Sequence, residues 1–263
     1  GAVNSINWAR VMAQITYFFY AYFRTLEDLR GSNGGANHYP LGSPVRFAVP
    51  TGNFGHMYAG VLARRMGLPI ERLILATNEN DILHRFVQDG VYARGELHHT
   101  HSPSMDIQVA SNFERYLFDL SGGVPLRVKG WMDSLRAEGR FAVGPTLFRR
   151  VRRDFVSARV DDPETLATIR RVHEAHGYLL DPHSAVGYRA AEQLSVPGLP
   201  TIAMATAHPA KFADAIREAL GTDPPLPDAL AALESLPTRV TELPAETDAV
   251  REHLRKTLAN SAH

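Results

Sequence analysis

Val45-Arg-Phe-Ala-Val-Pro-Thr-Gly-Asn-Phe-Gly55 decides the fold. Its first five residues form a short apolar run of strand type, and Pro50 to Gly55 then turns the chain into a helix-like stretch from His56 to Met66, stopped by Gly67. Glycines between a strand and a helix let the backbone approach an anion. The free N–H groups of the first helical turn, at the positive end of the helix dipole, suit a phosphate. The spacing is neither the dinucleotide fingerprint nor a P-loop, which would end Gly-Lys-Ser/Thr, so a nucleoside triphosphate is disfavoured. An ordinary βα turn that needs glycine reads the same way, and the local sequence leaves both readings open.

Working outward, Leu73-Ile-Leu-Ala76 reads as a second strand and Asn78 to Asp89 as a helix. The alternation resumes with a strand at Tyr178-Leu-Leu180, a helix from Asp181-Pro-His-Ser184 to about Leu194, the strand Thr201-Ile-Ala-Met-Ala205 and a helix from Pro209 to Leu220. Strands alternating with helices imply βαβ units and hence an α/β fold with an open, mostly parallel sheet flanked by helices. Upstream, Asn4 to Arg24 carries small and apolar residues at helical spacing, with Asn4 or Ser5 as N-cap, and then breaks into a loop from Gly31 to Asn37. Residues from about 112 to 177 read as a mostly helical insertion without an evident strand. Pro224 to Pro227 leads to a helical carboxyl terminus, around Asp228 to Leu236 and Pro244 to Asn260.

Composition narrows the function. The 28 basic and 28 acidic residues cancel, which removes the long-range field that non-specific nucleic-acid binding uses. There is no Cys, so disulfides, thiolate nucleophiles and Cys-based zinc sites are excluded. The longest apolar run, Ile15 to Phe23, is far short of the ~20 residues that cross a bilayer. No charged-then-apolar leader opens the chain, and a cytoplasmic protein is the expectation. Only three lysines occur, Lys129, Lys211 and Lys256, which shortens the roll of candidates for amine chemistry.

Two further strand-to-helix junctions offer polar side chains where ligands collect in open α/β sheets. Ala205-Thr-Ala-His-Pro-Ala-Lys211 presents a hydroxyl and an imidazole, although capping by Thr206 would give the same sequence. In Leu180-Asp-Pro-His-Ser184, Asp181 reads as an N-cap. His98-His-Thr-His101 lacks further ligands at a convincing spacing and reads as a polar surface loop, so no metal is expected. Ser102-Pro-Ser-Met-Asp106 is loop chemistry with no mechanism of its own, and the arginines at 149, 150, 152 and 153 read as solvated helix surface.

Seven stretches, in order along most of the chain, carry a resemblance: Asn4-Ser-Ile-Asn-Trp-Ala-Arg10, Pro50-Thr-Gly-Asn-Phe-Gly55, Ala76-Thr-Asn-Glu-Asn-Asp81, Ser102-Pro-Ser-Met-Asp106, Ser111-Asn-Phe-Glu-Arg115, Leu180-Asp-Pro-His-Ser-Ala-Val186 and Ala205-Thr-Ala-His-Pro-Ala-Lys-Phe212. The chain resembles the threonine synthases, pyridoxal-phosphate enzymes of fold type II in the tryptophan-synthase-β-like group, and their longer bacterial and fungal branch fits best. The resemblance implies a carbon-oxygen lyase that converts O-phospho-L-homoserine and water to L-threonine and phosphate. It also implies that residues 1–263 are the carboxyl-terminal portion of the enzyme's large domain.

Residue by residue, the family's cradle for the cofactor phosphate falls on Gly52, Asn53, Phe54 and Gly55. The motif usually continues with Asn or Asp, where this chain has His56. Thr206 matches the hydroxyl residue that faces the pyridine nitrogen, and a neutral partner there moderates the cofactor as an electron sink. Asn4, Ser5 and Arg10 match residues that hold the substrate phosphate, and an Arg with hydroxyl and amide donors suits a tetrahedral dianion. The family's Schiff-base lysine lies upstream in a Phe-Lys-Asp stretch that this chain lacks, and none of the three lysines matches it. The expectation is therefore a half-site with no catalytic residue of its own, inactive without the missing amino-terminal half of the enzyme. A non-catalytic pseudoenzyme or phosphate-binding interaction module is the alternative. A monomer or a homodimer is expected, the latter through the apolar helix around Tyr17 to Phe23.

Overall fold

The computed structural model describes residues 4–32, 39–238 and 240–260. It divides into two units, one up to Pro224 and one from Pro225 onward. The first holds a parallel sheet of four strands: β1 (Val45–Pro50), β2 (Ile70–Thr77), β5 (Phe155–Arg159) and β6 (Thr201–Ala203), in the order β5-β2-β1-β6. Strands β3 (Val91–Ala93) and β4 (Arg140–Ala142) pair antiparallel beside it.

Every residue of β1 is buried because helices cover both faces. Its alternation sorts side chains by face. Val45, Phe47 and Val49 join the large core with Leu73 and Leu75 of β2, under α1 (Trp8–Ser32) and α2 (Gly55–Arg65). Ala48, Ile74 and Ala76 point the other way, onto Val186 and Ala190 of α8 (Pro182–Gln193). Small residues on that second face bring α8 close. A Cβ at Gly187 would stand 2.7 Å from Cγ of Pro50, so the middle of α8 and the carboxyl end of β1 are in direct contact.

The helices α3 (Ile82–Asp89), α4 (Phe113–Leu120), α5 (Pro125–Glu138), α6 (Pro145–Asp154) and α7 (Asp162–His176) lie between β2 and α8, and α9 (Ala213–Leu220) follows β6 after a 3-10 turn at Pro209–Phe212. The second unit holds α10 (Asp228–Ala231), a 3-10 turn at Ala232–Ser235 and α11 (Thr247–Asn260).

Three expectations need correction. The 112–177 stretch is not strand-free: β4 lies in it, and β5 is an outer strand of the main sheet, with Phe155 in one core and Ala158 in the other. The five residues of β5 follow the arginine-rich end of α6 directly, so their alternation is masked by the charge run. Tyr178-Leu-Leu180 forms no strand. Leu180 is buried among Ile169, Val172 and Ile216, where its apolar surface serves helix packing. Finally, α1 begins at Trp8, so Asn7 rather than Asn4 or Ser5 holds the cap position, its Oδ1 accepting from Ala9 N–H at 2.9 Å. The helix also continues past Arg24 to Ser32, and the loop expected up to Asn37 lies, from residue 33 on, outside the described residues. Among the described residues no helix is long and apolar enough to cross a membrane.

Candidate active site

The turn after β1 is built from its backbone. Thr51 closes the strand, its N–H donating to the Ala76 carbonyl at 2.9 Å and its hydroxyl to that of Val49 at 2.6 Å. Phe54 then takes the left-handed conformation, at φ 65° and ψ 2°, which non-glycine residues rarely adopt. Its ring compensates by packing among Phe113, Tyr116 and Phe155, with centroids 5.1 to 5.9 Å away. The twist leaves the main-chain N–H groups of residues 53–57 without an acceptor among the described residues, at the positive end of α2. Open amides at a helix start make a cradle of the kind that suits an anion. No side chain caps the helix in its place.

Asn112 ties this loop to the chain's first segment. It is fully buried; its N–H donates to the Asn53 carbonyl at 3.0 Å and its side-chain amide to the Ser5 carbonyl at 2.7 Å. The Asn53 side chain accepts from the Ser111 hydroxyl at 3.3 Å, and Arg115 holds the Ile6 carbonyl at 2.9 Å while lying over the Trp8 ring. The Ser111-Asn-Phe-Glu-Arg115 stretch is thus the joint that brings Ser5 and Arg10 to the cradle.

Together these residues line a cleft of about 250 Å³: Ser5, Arg10 and Gln14 from the first segment, Gly52 to His56 from the turn, Ser104 and Met105 from the 102–106 loop, and His183 and Thr206. Of the expected site residues, Ser5, Arg10, Gly52, Asn53, Phe54, Gly55 and Thr206 all meet here. Phe54 faces the cleft only through its backbone, since its ring is in the core. Asn4 does not reach the cleft; it is exposed, and its Oδ1 accepts from Ile6 N–H. The Arg10 side chain makes no ion pair or hydrogen bond among the described residues, and its guanidinium is exposed beside the cleft.

Sequence reasoning missed Ser104, Met105 and His183. The first two belong to a loop set aside as having no chemistry. That loop is held by a buried knot in which the Asn78 side chain donates to Asp106 at 2.8 Å and Asn80 to the His98 carbonyl at 2.8 Å. The same knot anchors the connection bearing His98-His-Thr-His101. None of the lysines lines the cleft: Lys129 pairs with Asp133 on α5, Lys256 with Glu252 on α11, and Lys211 is exposed on the 3-10 turn after Thr206.

His56 also touches the cleft. Its ring packs edge-on against Tyr17 and Phe18, its Nε2 is buried without a partner among the described residues, and burial lowers its pKa from 6.5 to about 4. The helix N-terminus works in the same direction, against a cation. Between those two values the unfolded chain binds more protons than the folded one, so stability rises with pH across that window and is level above it. His56→Asn, which puts the family's usual residue there, is expected to remove roughly 2–3 kcal/mol of acid destabilisation between pH 6.5 and 4. Urea midpoints of the two chains, compared pH by pH, check this; parallel curves would refute it.

Residues 184–254 match the family described as threonine synthase, C-terminal. The chain is 47% identical to the threonine synthase of Pseudomonas aeruginosa, covering 93% of this chain and 50% of that protein. It is 44% identical to that of Eremothecium gossypii, covering 98% and 53%. Its fold superimposes on the PLP-bound threonine synthase from Brucella melitensis with a TM-score of 0.85 at 44% identity, covering 97% of this chain and 52% of that one. The chain therefore spans about half the length of the curated relatives it matches. Sequence and fold agree along nearly all of its residues: the chain belongs to the threonine synthase family.

Proposed function

We propose that this chain is the carboxyl-terminal portion of the large domain of a cytoplasmic threonine synthase, carrying the phosphate-binding half of its site. The complete enzyme converts O-phospho-L-homoserine and water to L-threonine and phosphate with pyridoxal 5'-phosphate as cofactor. The observation that carries this reading is one cleft that gathers the open amides of residues 53–57, Arg10 with Ser5, and Thr206. The fit to a phosphate is good, because amide donors at a helix start need no lysine or P-loop to hold a dianion. Bound pyridoxal phosphate would supply an electron sink for the substrate's reacting carbons.

The residues of this chain have separate tasks under this reading. Gly52 to Gly55 grip the cofactor phosphate by backbone. Thr206 offers a neutral hydroxyl to the ring nitrogen. Ser5 and Arg10 hold the substrate's phosphate ester, where Arg10 stabilises the leaving dianion by a charge-assisted contact. The amine that carries the cofactor comes from the rest of the polypeptide. An apolar hollow of about 660 Å³ beside the outer strand β6, lined by Tyr178, Leu180, Tyr188 and Met204, supports a missing partner segment on that flank. The exposed Trp8, Met12, Tyr20 and Phe23 along α1 are the surface on which a homodimer would form.

Borohydride reduction of the chain with pyridoxal phosphate, followed by peptide mass mapping, is expected to label none of Lys129, Lys211 and Lys256. The chain alone is expected to release no phosphate from O-phospho-L-homoserine, whereas the full-length enzyme does. A pyridoxyl group on Lys211, or turnover by this chain, overturns the half-site reading. A full-length protein that binds phosphate and never releases it from the substrate supports the phosphate-binding module instead.

A further inference from the structure

Asp181 does more than cap α8. A helix cap needs only the main-chain contacts it makes, from His183 N–H at 2.9 Å and Ser184 N–H at 3.4 Å. Its carboxylate, with no exposed side-chain surface, also accepts from both neighbouring side chains: Oδ1 lies 3.0 Å from His183 Nδ1, and Oδ2 accepts a hydrogen bond from the Ser184 hydroxyl in a short contact. Burial pushes the Asp181 carboxyl up, but the hydrogen bonds from His183 and Ser184 together outweigh it and leave its pKa below the ordinary value. The carboxylate stays charged and fixes the direction of both strings that end on it.

Each string leads to a different wall of the cleft. The Ser184 hydroxyl donates its hydrogen bond to Asp181, so its oxygen lone pairs are free to accept, and one does, from Thr206 N–H at 3.0 Å. His183 Nε2 accepts from Ser104 N–H at 3.1 Å. An amide can only donate there, so Nε2 holds a lone pair and Nδ1 carries the proton toward Asp181: a neutral imidazole in a defined tautomer. The Phe212 ring, 4.7 Å from that imidazole by centroids, covers it. Ser104 in turn stands over the cradle, its carbonyl 2.5 Å from where a Cβ on Gly52 would lie.

We infer that Asp181, His183 and Ser184 are positioning residues which hold the Thr206 wall and the Ser104–Met105 wall of the cleft to one buried carboxylate, setting the width of the slot for the pyridoxal ring. This rests on the reading of the cleft as the cofactor's. The two strings are independent, so they separate in an experiment. Ser184→Ala cuts the Thr206 string, His183→Ala the Ser104 string and Asp181→Asn weakens both. Ser184→Thr keeps the hydroxyl at a position that borders the hollow beside β6.

The test is residue-level amide hydrogen exchange on the 263-residue chain, with inorganic phosphate and pyridoxal phosphate as probes in separate phosphorus NMR titrations. Ser184→Ala is expected to speed exchange at Thr206 by about tenfold and leave Ser104 unchanged, with His183→Ala doing the reverse and Ser184→Thr restoring the wild-type pattern. Inorganic phosphate reports the cradle alone, so Ser184→Ala should bind it normally while losing about tenfold in affinity for pyridoxal phosphate. Equal loosening of both walls in every variant, or none in any, overturns the proposal, since an ordinary structural role gives one of those results. If the unmodified chain holds pyridoxal phosphate no tighter than inorganic phosphate, the cofactor reading itself fails, and that is seen before any variant is made. If it discriminates and Ser184→Ala discriminates equally well, only the positioning proposal fails.

Discussion

Phe54→Ala is expected to cost about 3–5 kcal/mol of folding stability, the range for removing a fully buried aromatic ring. The ring is 1% exposed and holds the phosphate turn against Phe113, Tyr116 and Phe155. The same residue carries the chain's one positive φ outside glycine among the described residues, so Phe54→Gly tests the backbone separately from the ring. Glycine normally destabilises relative to alanine, by roughly 0.5–1 kcal/mol in regular structure. At φ 65° the order should invert, because alanine keeps a Cβ in the left-handed region whereas glycine does not. Chemical denaturation should therefore rank wild type above Phe54→Gly and Phe54→Gly above Phe54→Ala. An alanine variant that is the more stable of the two would mean that Phe54 bears no backbone strain in solution. Both variants should lose affinity for inorganic phosphate, because the amides of the cradle are aimed by this turn.

The parts of this site that could be read from the sequence are those whose signals are local. Val45 to Gly55 announces a strand, a glycine turn and a helix start within eleven consecutive residues, and that order suits an anion at the end of β1 as well as an ordinary βα turn. Thr206 and Asp181 were legible for the same reason, one at a strand end and one at a helix start. What could not be read depends on neighbours distant in the chain. Asn112 bonds to the carbonyl of a residue 107 positions away, and the Ser104 amide to the ring of one 79 positions away. Nothing near Ser104 marks it as a cleft wall, and nothing near His183 says which of its nitrogens accepts. β5 was hidden by the charges before it, and Leu180 was misread because a buried leucine on a loop and one on a strand look alike over three residues. The resemblance to a family supplied the roles of Ser5 and Arg10, which no periodicity would have given. The structure adds what brings that segment to the turn, since Asn112 bonds the carbonyls of both Ser5 and Asn53.

Gly52→Ala should have the largest effect on ligand binding of any single change. A Cβ there would stand 2.5 Å from the Ser104 carbonyl oxygen and 3.3 Å from Met105 Cα, both main-chain atoms. No rotamer change can relieve that contact, so either the cradle or the Ser104 wall must move. Overpacking of this kind costs about 1–3 kcal/mol in stability. The loss in affinity for inorganic phosphate should be larger in proportion, about a hundredfold, because several amides lose their common aim at once. Which side moves is decided by the hydrogen bond from Ser104 to His183, because that bond prevents the wall from retreating. In the His183→Ala background the wall is unhooked, and the added methyl should then cost less stability than it does in the unmodified chain. Neighbouring sites that share a strained contact are expected to be non-additive by about 0.5–3 kcal/mol in such a cycle. Strict additivity of Gly52→Ala and His183→Ala in chemical denaturation would show that the wall is held by something other than His183, and would leave the Gly52 contact to be relieved by the cradle alone.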